Sequence, residues 1–222
     1  MAASEEVRDE FVDAAYRAIA TRGPDLSMED VAREAGSSKP RLYRHFADKD
    51  DLYVAIAQRM NDDVYQNIRP DFNFVLLPPR DALAEAIASY TRVITESPEV
   101  FRFLSRGTGQ QGSLRTGYPI AIGRDLSIRV TEIARDVLGS VDIDTAGLET
   151  TVVAGVGAVL AASVLWLEST ASPTDVQRSQ FVAEVSPLVW GLVDAYLREK
   201  GIAIAGDEPM FVSLAKIRAG DA

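Results

Sequence analysis

Apolar residues recur at intervals of three and four along almost the whole chain, the spacing of helices with one buried face. Val7, Phe11, Ala14, Ala15, Ala18 and Ile19 form a first stripe, which predicts an amphipathic helix stopped by Arg22-Gly23-Pro24. Ser27-Met28-Glu29-Asp30 then has the form of a capping box, with Ser27 as N-cap and Asp30 in the first turn. Met28, Val31, Ala32 and Ala35 give this second helix its inward face, and Gly36 ends it where a left-handed residue costs least. A very short third helix follows. Ser37 or Ser38 caps it, Pro40 falls in its first turn, and Leu42 and Phe46 point inward together. Asp48 caps a long fourth helix carrying Leu52, Ile56, Met60 and Val64, which ends near Arg69-Pro70.

Pro70, Pro78 and Pro79 flank a bend, dividing the chain into residues 1–69 and 70–222. In the second part the spacing predicts helices near 80–96, 98–106, 119–138, 145–170 and 174–199, with a short helix or hook around Met210 to Ile217. No segment alternates at period two, and no internal repeat is visible. The fold class expected is all-α.

Composition narrows the chemistry. The chain has 222 residues, 47% apolar and 25% charged, enough for a sizeable core. The absence of cysteine excludes disulfides, thiolate catalysis and cysteine-based zinc sites, and one histidine excludes a histidine-rich metal site. No metal or cofactor is expected. The acidic start, MAASEEVRDEF, carries no apolar run, so no secretory leader is expected and a cytoplasmic location is.

Charge sharpens this reading. The chain has a formal net charge of -10, yet the window from Arg33 to Lys49 is net positive before its only histidine, His45, is counted. That window coincides with two short helices joined through Gly36-Ser37-Ser38, the layout of a helix-turn-helix whose second helix enters the major groove. With Leu42 and Phe46 facing the core, Lys39, Arg41, Tyr43, Arg44 and His45 remain for solvent or DNA. Arg41 is the candidate for a bidentate contact to guanine, while Tyr43, His45 and Lys49 suit backbone phosphates.

Residues 26–60, LSMEDVAREAGSSKPRLYRHFADKDDLYVAIAQRM, resemble the N-terminal domain of TetR-family transcriptional regulators. The resemblance covers about the first third of the chain. It implies an N-terminal helix-turn-helix DNA-binding domain, a C-terminal helical ligand-binding and dimerisation domain, and a repressor-like dimer on a near-palindromic operator. Carried over by position, the implied contacts with double-stranded DNA are Ser27, Ser38, Lys39, Arg41, Tyr43, His45 and Lys49. Pro40-Arg41 stands where many members have Gly-Thr or another small pair, so base preferences do not transfer from one member to this one.

Thr150 to Leu167 is uncharged for 18 residues but rich in Ala, Gly, Ser and Thr, which favours a helix buried on every side over a membrane span. Ala154, Ala158 and Ala162 form a small-residue row along it. The next helix has a wide apolar stripe of Phe181, Val185, Leu188, Val189, Leu192, Val193 and Tyr196, with Val182, Trp190 and Leu197 on its other sides. Together with their symmetry copies these two helices, near 145–170 and 174–199, would make the four-helix homodimer interface the resemblance implies. It also implies a small-molecule effector site among the central helices, with Tyr90, Phe101, Phe103, Gln110, Tyr118 and Trp166 as candidates; sparse charge there points to a mostly apolar ligand.

Gly107-Thr108-Gly109-Gln110-Gln111-Gly112 matches the dinucleotide fingerprint by letter, but no strand precedes it and it reads as a loop. Two other function classes compete. In a helical enzyme the chemistry would rest on Glu96, Glu99, Asp125, Glu132, Asp136 and Glu168, which form no paired motif, so no enzymatic activity is expected. A helical small-molecule-binding module without DNA function would tolerate neutralisation of Lys39, Arg41 and Tyr43.

Overall fold

The structure, a computed structural model, describes residues 2–68, 76–106, 119–139, 144–170 and 172–219. In chain order its helices are α1 (Ala2–Arg22), α2 (Met28–Glu34), α3 (Lys39–Leu42), α4 (Lys49–Ile68), α5 (Pro79–Glu96), α6 (Pro98–Arg106), α7 (Pro119–Leu138), α8 (Leu148–Ser169), α9 (Asp175–Glu199) and α10 (Met210–Ala219). No strand occurs among the described residues. The glycine run 107–112, with Gln110, and Tyr118 lie outside them.

Local chemistry sets most of these boundaries. At α2 the Ser27 hydroxyl accepts from the Asp30 amide at 3.2 Å while the Asp30 carboxylate accepts from the Ser27 amide at 3.3 Å, a reciprocal box worth about 1 kcal/mol. Gly36 then takes a φ of 59°, a left-handed turn that a side chain would strain. At α4 the Asp51 amide donates to the Asp48 carboxylate at 2.8 Å, and the Asp51 carboxylate accepts from the Ala47 amide at 3.0 Å. Proline opens α5, α6 and α7, where its missing N–H costs nothing. The expected cap on α3 differs. Ser38 holds the N-cap position, but the amides of Arg41 and Leu42 both donate to its carbonyl, at 3.0 and 3.1 Å, so its hydroxyl makes no capping bond.

The main core is continuous between the two parts of the chain. Phe11, Ile19, Leu42, Phe46 and Ile56 from the first part join Ile94, Leu104, Leu160 and Leu167 from the second. Ile87 of α5 meets Phe181, Val185 and Val189 of α9 in another cluster. A further cluster gathers Leu138, Leu148, Trp190 and Leu197 under Ile202 and Ile204 of the tail. The tail is fixed there by backbone bonds: the Met210 amide donates to the Leu77 carbonyl at 3.1 Å, and the Arg80 amide to the Gly206 carbonyl at 3.2 Å.

Helix α8 corrects one expectation. Its length and a mean hydropathy of 2.0 are those of a membrane-crossing helix, but only 22% of that apolar window is buried. Leu160 and Leu167 pack inward while Leu165 is exposed on the side of Ala154, Ala158 and Ala161; Val153, also exposed, lines the groove against α7. The small-residue row therefore runs through Ala161, because Ala162 packs against the Phe181 cluster. On α9 the apolar stripe divides: Phe181, Val185, Val189 and Tyr196 are buried within the chain with Trp190 and Leu197, while Leu188 and Leu192 are exposed.

Candidate nucleic-acid interface

The two inward anchors of the short helix, Leu42 and Phe46, are fully buried, which fixes the opposite side of the turn outward. Backbone bonds continue past α3, from Tyr43 to the Lys39 carbonyl at 3.0 Å and from Phe46 to the Leu42 carbonyl at 3.0 Å, so the reading element is one tight unit ending at Phe46. On its outer side Ser38, Lys39, Arg41, Tyr43 and Arg44 are exposed, and Lys49 is half-buried at the start of α4. Ser27 is also exposed, but its hydroxyl is engaged in the α2 cap. His45 is half-buried, with its ring 5.9 Å from that of Phe11.

Ion pairing separates the basic residues of the described part of residues 2–68 into two sets. Arg8 pairs with Asp51, Arg17 with Glu34, Arg22 with Asp30, Arg33 with Glu29 and Asp30, and Arg59 with Asp9 and Asp13. Lys39, Arg41, Arg44 and Lys49 have no carboxylate partner among the described residues. A free cation on a rigid element keeps its full attraction for a phosphate, whereas a paired one must first break its existing bond. The four free cations all lie on the reading element or at the next helix start, and Arg44 belongs with them.

Arg8 is the supporting residue that sequence spacing does not reveal. Its guanidinium donates to the His45 carbonyl and to the Asp51 carboxylate, the latter at 2.6 Å, and lies 4.2 Å over the Phe46 ring. One side chain of α1 thereby ties the exit of the reading element to the start of α4. The Arg8 hydrogen bond, helped by the Ala47 amide, holds the Asp51 carboxyl below its ordinary value of 3.8. A depressed folded pKa gives stability that is complete above the ordinary value and lost as pH falls through the folded one. Arg8→Ala is expected to cost about 1 kcal/mol at neutral pH, allowing for partial exposure, and to lower Tm by roughly 2–4 °C. Thermal melts should show the gap between the two proteins closing well below pH 3.8 as Asp51 protonates; a gap independent of pH would remove Asp51 from the account.

The remaining site candidates sit deeper. Phe101 and Phe103 are buried, Phe103 lying 5.7 Å from Tyr53, and Trp166 stacks on Phe181 at 4.5 Å. Tyr90 is buried with Ser163 beside its hydroxyl, and burial raises its pKa above the usual tyrosine range. A groove of about 810 Å³ between α5 and α9 and another of about 500 Å³ between α7 and α8 are lined by other residues. No cluster of three or more metal-ligating side chains occurs among the described residues.

Two polar contacts between the two parts of the chain fall on α4. The Tyr53 hydroxyl, its pKa pushed up to about 12 by burial, donates to the Leu104 carbonyl of α6 at 2.6 Å. Farther along, Arg129 of α7 pairs with Asp62 at 2.8 Å and lies 5.0 Å over the Tyr65 ring. Helix α4 thus begins in the cationic surface and ends in the grip of α7.

Residues 11–56 match the family model described as "Bacterial regulatory proteins, tetR family". An uncharacterized HTH-type transcriptional regulator of Mycobacterium tuberculosis is 28% identical over 198 residues, covering 86% of this chain and 80% of that protein. The HTH-type transcriptional activator FasR of Mycolicibacterium smegmatis is 31% identical over 94 residues, 42% of this chain and 39% of FasR. A solved tetR-family transcriptional regulator from Streptomyces coelicolor shares the fold over 97% of this chain and 89% of its own, with a TM-score of 0.60 at 22% identity.

Proposed function

Because this chain belongs to the TetR family of transcriptional regulators, a family of regulators rather than enzymes, we propose that it acts as a homodimeric repressor. It holds a near-palindromic operator and releases it when a small, mostly apolar ligand binds. Residues 1–69 read DNA and residues 70–222 sense the ligand and pair the subunits, and an operator target puts the protein in the bacterial cytoplasm.

The observation that carries the DNA reading is the division of cations: among the described residues Lys39, Arg41, Arg44 and Lys49 have no acidic partner, while the other basic groups of α1, α2 and α4 are bound to acids. Lys39 and Arg41 reach base edges in the major groove. Ser38, Tyr43, Arg44, His45 and Lys49 hold phosphates, and Ser27 contacts the backbone from the cap of α2. The pairing surface is the open side of α8 and α9, where Leu165 and Leu188 are exposed. The effector acts among α5 to α8, with Tyr90, Phe101, Phe103 and Trp166, and with Gln110 and Tyr118 of the connecting segment, as its contacts. It lowers operator affinity through α6 and α7, whose bonds to Tyr53 and Asp62 hold α4.

Selection of bound duplexes from a random pool, followed by titration of the winner at two salt concentrations, tests the reading. A near-palindromic winner bound about 10³-fold or more over scrambled DNA is expected. Salt-sensitive binding with no enriched sequence would overturn it and leave a helical small-molecule-binding module as the alternative. The sign of regulation is read separately, by a reporter placed behind the selected operator: the relative FasR is an activator, and a rise in transcription on adding the protein would replace repression by activation.

A further inference from the structure

We propose that the groove between α7 and α8 is a binding site for a small neutral amphiphile, a molecule with one hydroxyl or carbonyl on an apolar body. The groove shares no lining residue with the effector contacts proposed above, so it is a second site, and only its consequence at DNA rests on the effector reading. The groove encloses about 500 Å³, within the range of small-molecule sites.

Thr131, on its α7 wall, is 4% exposed, and its hydroxyl has no hydrogen-bond partner among the described residues. This is not the habit of hydroxyls on the helices of this protein. Thr91, Thr95, Thr151, Ser163 and Ser186 each donate to a carbonyl one turn back, at 2.6–3.0 Å. A threonine in a helix has two accessible χ1 positions, so the Thr131 hydroxyl can turn toward an occupant of the groove. A buried hydroxyl without a partner is costly, and a ligand that completes the bond recovers that cost.

The rest of the lining sets the ligand class. Ile128 and Val153 form an apolar rim and are about half exposed, at 47% and 50%. Gly157 leaves the α8 wall open, since a Cβ built there meets nothing within 4 Å. Arg124, Arg135, Glu132 and Glu149 stand around the groove with their charges cancelling, which favours a neutral occupant over an anion or a cation. Two residues from Thr131, Arg129 holds Asp62 and Tyr65 of α4, so an occupant that shifts α7 loosens the helix leading to the reading element.

The test uses 1-naphthol as probe with the full chain, followed by calorimetry. The expected result is saturable binding at one site per chain, weakened about tenfold or more by Thr131→Val and abolished by Gly157→Leu, which fills the groove with a better helix former. Both variants should melt no lower than the parent protein, which excludes misfolding as the cause. Absence of saturable binding, or equal binding by the parent and Thr131→Val, overturns the site. Operator titration without naphthol on the same samples separates the two readings: intact operator binding with no naphthol site sinks this inference alone, and a naphthol site without operator binding sinks the DNA reading alone. Naphthol binding that leaves operator affinity unchanged supports the site and overturns its link to α4.

Discussion

Leu188→Asp is expected to leave the protein monomeric at micromolar concentration, with operator affinity reduced about 10³-fold toward the non-specific level. Leu188 is 71% exposed on α9 with Leu192 one turn along it, and Leu165 is 68% exposed on α8. Burying each leucine contributes about 1.5–3 kcal/mol. In a two-fold dimer every such contact occurs twice, and an aspartate at this position would put two unpaired carboxylates into an apolar interface. A monomer presents one reading element and loses the second half-site. Phe211→Asp is the matched control, because Phe211 is 48% exposed on α10, a helix outside the proposed pairing surface; it should remain dimeric. Sedimentation at several concentrations checks both, and a dimeric Leu188→Asp protein would move the pairing surface elsewhere.

The second large effect separates sequence reading from attraction to phosphate. Arg41→Ala should cost about 1–3 kcal/mol at one base pair of the selected operator, or roughly 5–150-fold, while scrambled duplexes lose far less. Lys49→Ala should weaken all duplexes by similar factors and reduce the slope of log affinity against log salt by about one for each half-site. Neither residue has an ion-pair partner among the described residues, so both changes should leave the melting temperature within experimental scatter. Equal loss on every duplex for both variants would end the division of roles.

Helix limits were legible in the chain because their signals are local. The Ser27 and Asp30 box, Gly36, the Asp48 cap and the prolines opening α5, α6 and α7 act within one or two turns. The positive window and the inward pair Leu42 and Phe46 were legible for the same reason, since a four-residue spacing on a short helix leaves the basic residues only one side to occupy. The facing of α8 was not. When a helix is apolar on all sides its periodicity carries no phase, and only the packing of α8 against α7 and α9 decides that Leu160 turns inward and Leu165 outward.

Pairing across long sequence separation was equally hidden. Arg8 meets Asp51 from 43 residues away, and Arg59 meets Asp13 from 46. The chain alone presents nine basic residues in this region of similar standing. Sequence determined the helices, their caps and where positive charge collects; tertiary structure decided which of those charges are already neutralised and which apolar faces stay open. The physical reason is range: capping and periodicity are completed by neighbours within a turn, whereas ion pairs and packing faces are completed by helices that only folding brings together.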